Sequence, residues 1–198
     1  MKTRILSIAL LLVAVAGLNM KTYAAPFTTN YTILDDIKNI SKIEVHGNVE
    51  LCISNSSAEK VTVYNKYYSE DALVQNRNGV LRISSYGPEK LIVWVASENL
   101  RAVSAWDNAE VKSFGDVSRI DFSIDLHNNS AADLKFDAFS AHVNLFDSAR
   151  IELSGHVYEF GVNRSLGSMV TDNDFSADHN TENNVIDYPQ NVQVTGLE

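Results

Sequence analysis

The stretch Val103–Val170, VSAWDNAEVKSFGDVSRIDFSIDLHNNSAADLKFDAFSAHVNLFDSARIELSGHVYEFGVNRSLGSMV, decides the fold. Four times, an apolar strand residue is followed by a small polar corner and then by a second apolar residue. Val103, Leu126, Val143 and Val162 hold the first place. The corners are Trp106-Asp107-Asn108-Ala109, Asn129-Ser130-Ala131-Ala132, Phe146-Asp147-Ser148-Ala149 and Ser165-Leu166-Gly167-Ser168. Val111, Leu134, Ile151 and Val170 hold the second place. A recurrence every roughly 20 residues marks stacked units, each needing its neighbours to bury its apolar face. The sequence therefore predicts an all-β, single-stranded, β-helix-like coil with rungs about 4.8 Å apart. The first-place residues form one inward column and the second-place residues another. Lys112, Lys135, Glu152 and Thr171 face solvent. An antiparallel β-sandwich is the alternative, because short alternating strands fit it too.

Outward from this stretch, a strand-rich N-terminal part comes first. Ile43, Val45, Val49, Leu51 and Ile53 mark strand faces around a His46-Gly47-Asn48 turn. Asn78-Gly79 supplies the positive φ angles of a tight hairpin before Leu81-Arg82-Ile83. Leu91-Ile92-Val93-Trp94-Val95 lacks polar alternation, which predicts a strand buried on both faces, with Trp94 in the core. Ser69–Val74 has room for one helical turn. The Asn-rich tail, Asn180 to Asn191, is expected to cap the open end of the stack.

The chain ends bound its destination. Met1-Lys2-Thr3-Arg4 is a basic start, and Ile5–Leu18 is an apolar run. Its length suits a signal h-region rather than a membrane span. Residues 1–24 are read as a signal peptide cleaved before Ala25. Residues 25–198 are read as one domain: a strand-rich part to 99, coils over 100–188 and a tail over 189–198. No membrane insertion follows cleavage. The formal charge of −9 falls to −12 when Lys2, Arg4 and Lys21 leave. Such acidity opposes nucleic acid and anionic membrane surfaces. One cysteine, Cys52, cannot form an internal disulfide and reads as a small buried strand residue.

Ile43-Glu44-Val45-His46-Gly47-Asn48-Val49-Glu50-Leu51, Asn78-Gly79-Val80-Leu81-Arg82-Ile83, and Leu91-Ile92-Val93-Trp94-Val95 leading to Asn99-Leu100-Arg101-Ala102-Val103 carry a family resemblance. From about Ile40 to Tyr188 the chain resembles the putative auto-transporter adhesins with a head-GIN domain, which are exported proteins common in Bacteroidetes. The corners occupy the places of that family's Gly-Ser-Gly. Leu166-Gly167-Ser168 keeps the glycine, and the other corners substitute small residues. The resemblance implies a right-handed coil of β-strands, a location in the periplasm, at the cell surface or outside the cell, and no known catalytic residues.

Little in the residues points to chemistry. Asp107, Asp125, Asp147 and Asp172 form a candidate acidic ladder, but catalysis on a glycosidic bond demands two carboxylates at defined separation. Corner Asp residues more often bond their own backbone. His46, His127, His142, His156 and His179 show no zinc spacing, although His127 and His142 could meet on adjacent rungs. No nucleophile elbow or phosphate loop occurs, so no catalytic residue, cofactor or metal site is expected. Trp106, Phe146 and Tyr158 near the corners, beside Asp107 and Asp147, are the candidate ligand contacts. Rings beside polar groups suit sugars, and they equally cover a core end. Tyr64, Tyr67 and Tyr68 near Lys60 and Lys66 form a second candidate patch. The expected function is a non-enzymatic, adhesin-like module contacting glycans or envelope proteins, with self-association through open strands. A polysaccharide-active enzyme and an envelope scaffold are the alternatives.

Overall fold

A computed structural model of the chain describes residues 31–64 and 72–184. The expected signal peptide, Tyr67, Tyr68, Lys66 and the tail beyond Asn184 lie outside the described residues, as does the start of the Ser69–Val74 segment. Among the described residues thirteen strands form one sheet. They are β1 (Thr32–Ile33), β2 (Lys42–Gly47), β3 (Val49–Ser54), β4 (Lys60–Tyr64), β5 (Ala72–Arg77), β6 (Val80–Ser85), β7 (Leu91–Ala96), β8 (Ala102–Trp106), β9 (Glu110–Phe114), β10 (Val117–Leu126), β11 (Ala131–Leu145), β12 (Arg150–Arg164) and β13 (Met169–Asn184). Ala72, Leu73 and Val74 are therefore strand, not helix.

The all-β expectation holds. Nine strand pairings are parallel. Among the described residues antiparallel pairing is confined to β1–β4, β4–β7 and β5–β6, so the antiparallel sandwich is not the architecture. Successive turns of the chain lie in register. Leu81, Ile43, Val103, Ile124, Val143 and Val162 follow one another across β6, β2, β8, β10, β11 and β12. Val93, Leu51, Val111, Ala132, Ile151 and Val170 do the same across the other arm. All but the half-buried Val170 are buried.

Two column assignments are corrected. Leu126 pairs with Ala105 and Leu145, not with Val103. Leu134 pairs with Leu153, while Ala132 takes the place beside Val111. Both leucines are buried, two positions further along the same face. The outward row shifts likewise: Lys112, Asp133, Glu152 and Thr171 align, and Lys135 stands two positions away opposite Ser154. A slip of two preserves the inward face because side chains alternate with period 2.

The N-terminal strands belong to the same stack. β6 and β7 lie on one side of β2 and β3, and β8 and β9 lie on the other. Asn78 (φ 52°) and Gly79 (φ 80°) make the expected hairpin between β5 and β6. β7 is not buried on both faces. Its residues alternate, and Trp94 lies half-buried on the outer face, its ring centroid 4.3 Å from that of Phe114 and its indole N–H donating to Ser54 Oγ at 3.1 Å.

The two ends of the stack terminate differently. Antiparallel β4 covers β7, and β5 covers β6. At the far end the last described strand is β13, and the rest of the expected tail cap, 185–191, lies outside the described residues. Asn180–Asn184 form part of that last strand. The columns of Leu153, Phe160 and Val162 continue into Asp172, Asn180 and Glu182. Polar side chains there stop the apolar core without leaving an oily end, and charges along an outer strand discourage further pairing.

Close stacking leaves no space for a side chain at Gly155 (φ +89°), where a Cβ would lie 2.0 Å from the Phe136 carbonyl oxygen. Gly115 has a similar φ of +81° and open space around it. Gly115→Ala is expected to cost about 1–2 kcal/mol from the left-handed backbone alone. Gly155→Ala adds the clash and is expected to cost about 3 kcal/mol or more. Urea denaturation of the two variants checks the difference, and equal losses would contradict the stacking geometry.

Candidate functional site

The corners build a ladder of rings. His46 and Trp106 stack with centroids 4.3 Å apart and planes 4° apart. Trp106 and His127 follow at 5.1 Å and 5°, then His127 and Phe146 at 4.4 Å and 8°. Each of the last three rings sits just before a corner, so stacked rungs place ring on ring. The next residue, Asp107, Asn128 or Asp147, has φ near +60° (63°, 60° and 56°). Asp and Asn tolerate that left-handed angle better than other side-chain-bearing residues. Their side chains are used locally: Asn128 Oδ1 accepts from the Asp107 N–H at 3.4 Å, and Asp147 Oδ2 accepts from the Asn128 N–H at 3.0 Å. Asp107 Oδ2 also accepts from the Tyr86 hydroxyl at 3.2 Å.

Four of the five candidate contact residues thus lie on one edge of the molecule. Trp106 and Phe146 spend ring faces on neighbouring rings, and Asp107 and Asp147 take part in corner hydrogen bonds. This arrangement holds rungs together; among the described residues Trp106 has rings on both faces and Phe146, last in the pile, has one on a single face. The fifth residue, Tyr158, lies mid-strand in β12, away from any corner.

The acidic ladder is dispersed. Asp125 belongs to a separate row of amides on the outer face. It accepts from Ser104 Oγ at 3.2 Å and Asn144 Nδ2 at 2.7 Å, and the row runs on through Asn163 (2.8 Å) and Asn183 (3.0 Å). Asp172 stands at the last rung beside Leu153. His127 is held in the ring stack, whereas His142 lies on the outer face of β11 with its Nε2 3.3 Å from Ser140 Oγ. The two do not pair. Among the described residues no three His, Cys, Asp or Glu side chains converge to hold a metal. Cys52 is buried, and burial together with the Glu50 charge pushes its thiol up to about 11.

A second edge carries a different surface. Ile120, Phe139 and Tyr158 fall at equal intervals along the chain and point outward on β10, β11 and β12. They are 84%, 51% and 39% exposed, the first two among the most exposed apolar side chains on the coil. Phe139 and Tyr158 stack at 4.9 Å and 21°, and His179 meets Tyr158 edge-on at 5.0 Å. The strands bend here: Phe139 and Ser140 are consecutive outward residues, which breaks the alternation of β11.

Hollows flank this row. One, of about 330 Å³, is lined by Glu98, Asn99, Arg101, Ser118, Ile120 and Asp121, with Arg119 beneath. The Arg119 guanidinium donates to the carbonyls of Ser97 (2.6 Å) and Ser118 (2.6 Å) and to Asn55 Oδ1, and its Nε donates to Leu100 O at 2.8 Å. It clamps the loop before β8 onto β10. The other hollow, of about 380 Å³, is bordered by His142, Glu159, His179, Asn163 and Asn183 over Gly161. Reading the residues alone singles out neither Ile120 nor Phe139, although their spacing to Tyr158 is regular.

Residues 39–184 match the family described as "Putative auto-transporter adhesin, head GIN domain". The chain belongs to this adhesin family. Two solved structures from Parabacteroides distasonis ATCC 8503 share its fold. One is a putative adhesin, 16% identical over 77% of this chain and 76% of that one, with a TM-score of 0.57. The other is a putative lipid binding protein, 13% identical over 78% of both chains, with a TM-score of 0.59. The sequence matches no curated protein.

Two measurements test the site geometry. His127→Ala removes the ring between Trp106 and Phe146 and is expected to lower stability by about 1–2 kcal/mol in urea, with altered tryptophan fluorescence. Cys52 is expected to resist a thiol reagent at pH 8 in the folded protein, because burial keeps it protonated. Unfolding then releases one reactive thiol per chain. Rapid native labelling would show that the outer face around β3 is open.

Proposed function

We propose that the mature chain is an exported, non-enzymatic, adhesin-like binding module that contacts glycans or proteins at the cell envelope. The exposed row of Ile120, Phe139 and Tyr158 carries this reading. Other large apolar side chains are exposed elsewhere, but these three lie in a row on adjacent strands, and such contiguous exposed apolar surface is a candidate contact site. Membership in the adhesin family supports the same reading.

A polysaccharide-cleaving role is less well supported. It needs a carboxylic acid whose pKa is raised by burial, near a second carboxylate. Glu98 and Asp121 share one hollow, yet both are exposed to water. The corner acids Asp107 and Asp147 are engaged in hydrogen bonds along the ladder. A scaffold role is compatible with the regular stack but has no surface of its own to recommend it.

The test uses the mature chain, residues 25–198, labelled and titrated onto purified bacterial envelopes and onto a glycan array. Saturable binding with oligosaccharides recovered intact by mass spectrometry is the expected result. Shortened products would replace this reading with the enzymatic one, and absence of saturable binding to either target would remove it.

A further inference from the structure

We propose that Phe139 and the hollow beside Ile120 form a binding site for a neutral oligosaccharide; this rests on the adhesin-like reading above and specifies its ligand. Among the described residues Phe139 is stacked by Tyr158 on one side only. On the other side the neighbouring rung supplies Ile120, which is 84% exposed and so covers little of the ring. The ring face toward Ile120 is therefore available to the C–H face of a sugar. Ile120 itself forms a wall of the adjoining hollow.

That hollow presents what sugar hydroxyls require. Glu98 and Asp121 accept hydrogen bonds, Arg101 donates them and Asn99 does both, while the Ser118 hydroxyl, which donates to Asp137 Oδ2 at 3.2 Å, is left as an acceptor. An apolar wall with a few placed polar groups is the general composition of a small-ligand site. At about 330 Å³ the hollow sits at the lower end of the size range of ligand pockets, which suits one or two sugar units with the chain continuing over the rings. The floor is set before binding, because Arg119 is tied to Ser97, Leu100 and Asn55 and cannot swing away without losing those bonds.

Charge selects a neutral ligand. Glu98 and Asp121 balance Arg101 and Arg119 within the hollow, and the chain as a whole is acidic, at −9. An anionic glycan gains no net attraction locally and meets repulsion from the rest of the surface. A peptide adding as a strand needs a run of free backbone groups. Along Val117–Asp121 that edge is crossed by the Arg119 side chain, which bridges to the loop before β8.

The experiment titrates the mature chain with neutral gluco-, manno- and galacto-oligosaccharides, with uronate-containing oligosaccharides and with an extended basic peptide. Binding is read by calorimetry and by shifts of the aromatic ring proton resonances. At least one neutral oligosaccharide is expected to bind, and Phe139→Ala to weaken it about tenfold or more. Asn99→Ala, on the hollow, is expected to weaken it severalfold. Leu166→Ala, an exposed residue at a corner of the last rung, is expected to leave binding unchanged. Unchanged thermal unfolding of the Asn99 variant separates lost contact from lost fold. The site is overturned if no neutral oligosaccharide binds, if neither Phe139→Ala nor Asn99→Ala weakens binding, or if only the uronates or the peptide bind there. In each of these cases saturable envelope binding by the same preparation leaves the adhesin-like reading standing, whereas loss of envelope binding removes both.

Discussion

Parallel strands stacked in register constrain everything else in this molecule. With rungs about 4.8 Å apart, each side chain meets its equivalent on the next rung, so every position becomes a column. Apolar columns such as Leu81, Ile43, Val103, Ile124, Val143 and Val162 bury their whole length. Each such residue contributes roughly 1.5–3 kcal/mol when taken out of water. Without a disulfide among the described residues, this burial and the ladder hydrogen bonds hold the fold.

Polar and aromatic residues obey the same constraint. The rung spacing is close to a ring-stacking distance, so His46, Trp106, His127 and Phe146 form a continuous pile. It also suits an amide donating to the next amide, as from Asn163 to Asn144 and from Asn183 to Asn163. Such ladders satisfy side chains internally and leave them little capacity for a ligand. The bend at Ile120, Phe139 and Tyr158 is different. There the row turns outward, exposure rises, and a clamped loop forms a hollow beside it.

The repeat is legible from residues, but its register is not. Placing Leu126 beside Val103, or Leu134 beside Val111, misses the true pairing by two positions in each case. Hydrophobic alternation cannot detect this, because a two-position slip keeps every side chain on its proper face. The left-handed corner residues settle it. Asp107, Asn128 and Asp147 each hold a positive φ, and aligning them brings the rungs into their true register. The row of Ile120, Phe139 and Tyr158 is likewise open to view, at constant spacing. It escapes notice because Tyr158, taken with Trp106 and Phe146, reads as one more corner aromatic. Trp94 reads as core because an unbroken apolar run does not reveal which face a neighbouring ring, here Phe114, partly covers.

Residue pattern is enough to establish that the chain is all-β, that Asn78-Gly79 turns a hairpin and that short polar corners recur. These follow from period-2 alternation and from the few residue types that accept a left-handed backbone. Only the folded arrangement reveals that β6 and β7 stack on the far side of β2 and β3, that β13 ends the core with Asp172, Asn180 and Glu182, and that Phe139 stands beside a hollow floored by Arg119. Local pattern fixes which face a side chain takes. Which strand lies next to it is set by packing between distant segments, and apolar strands of similar composition do not announce their neighbours.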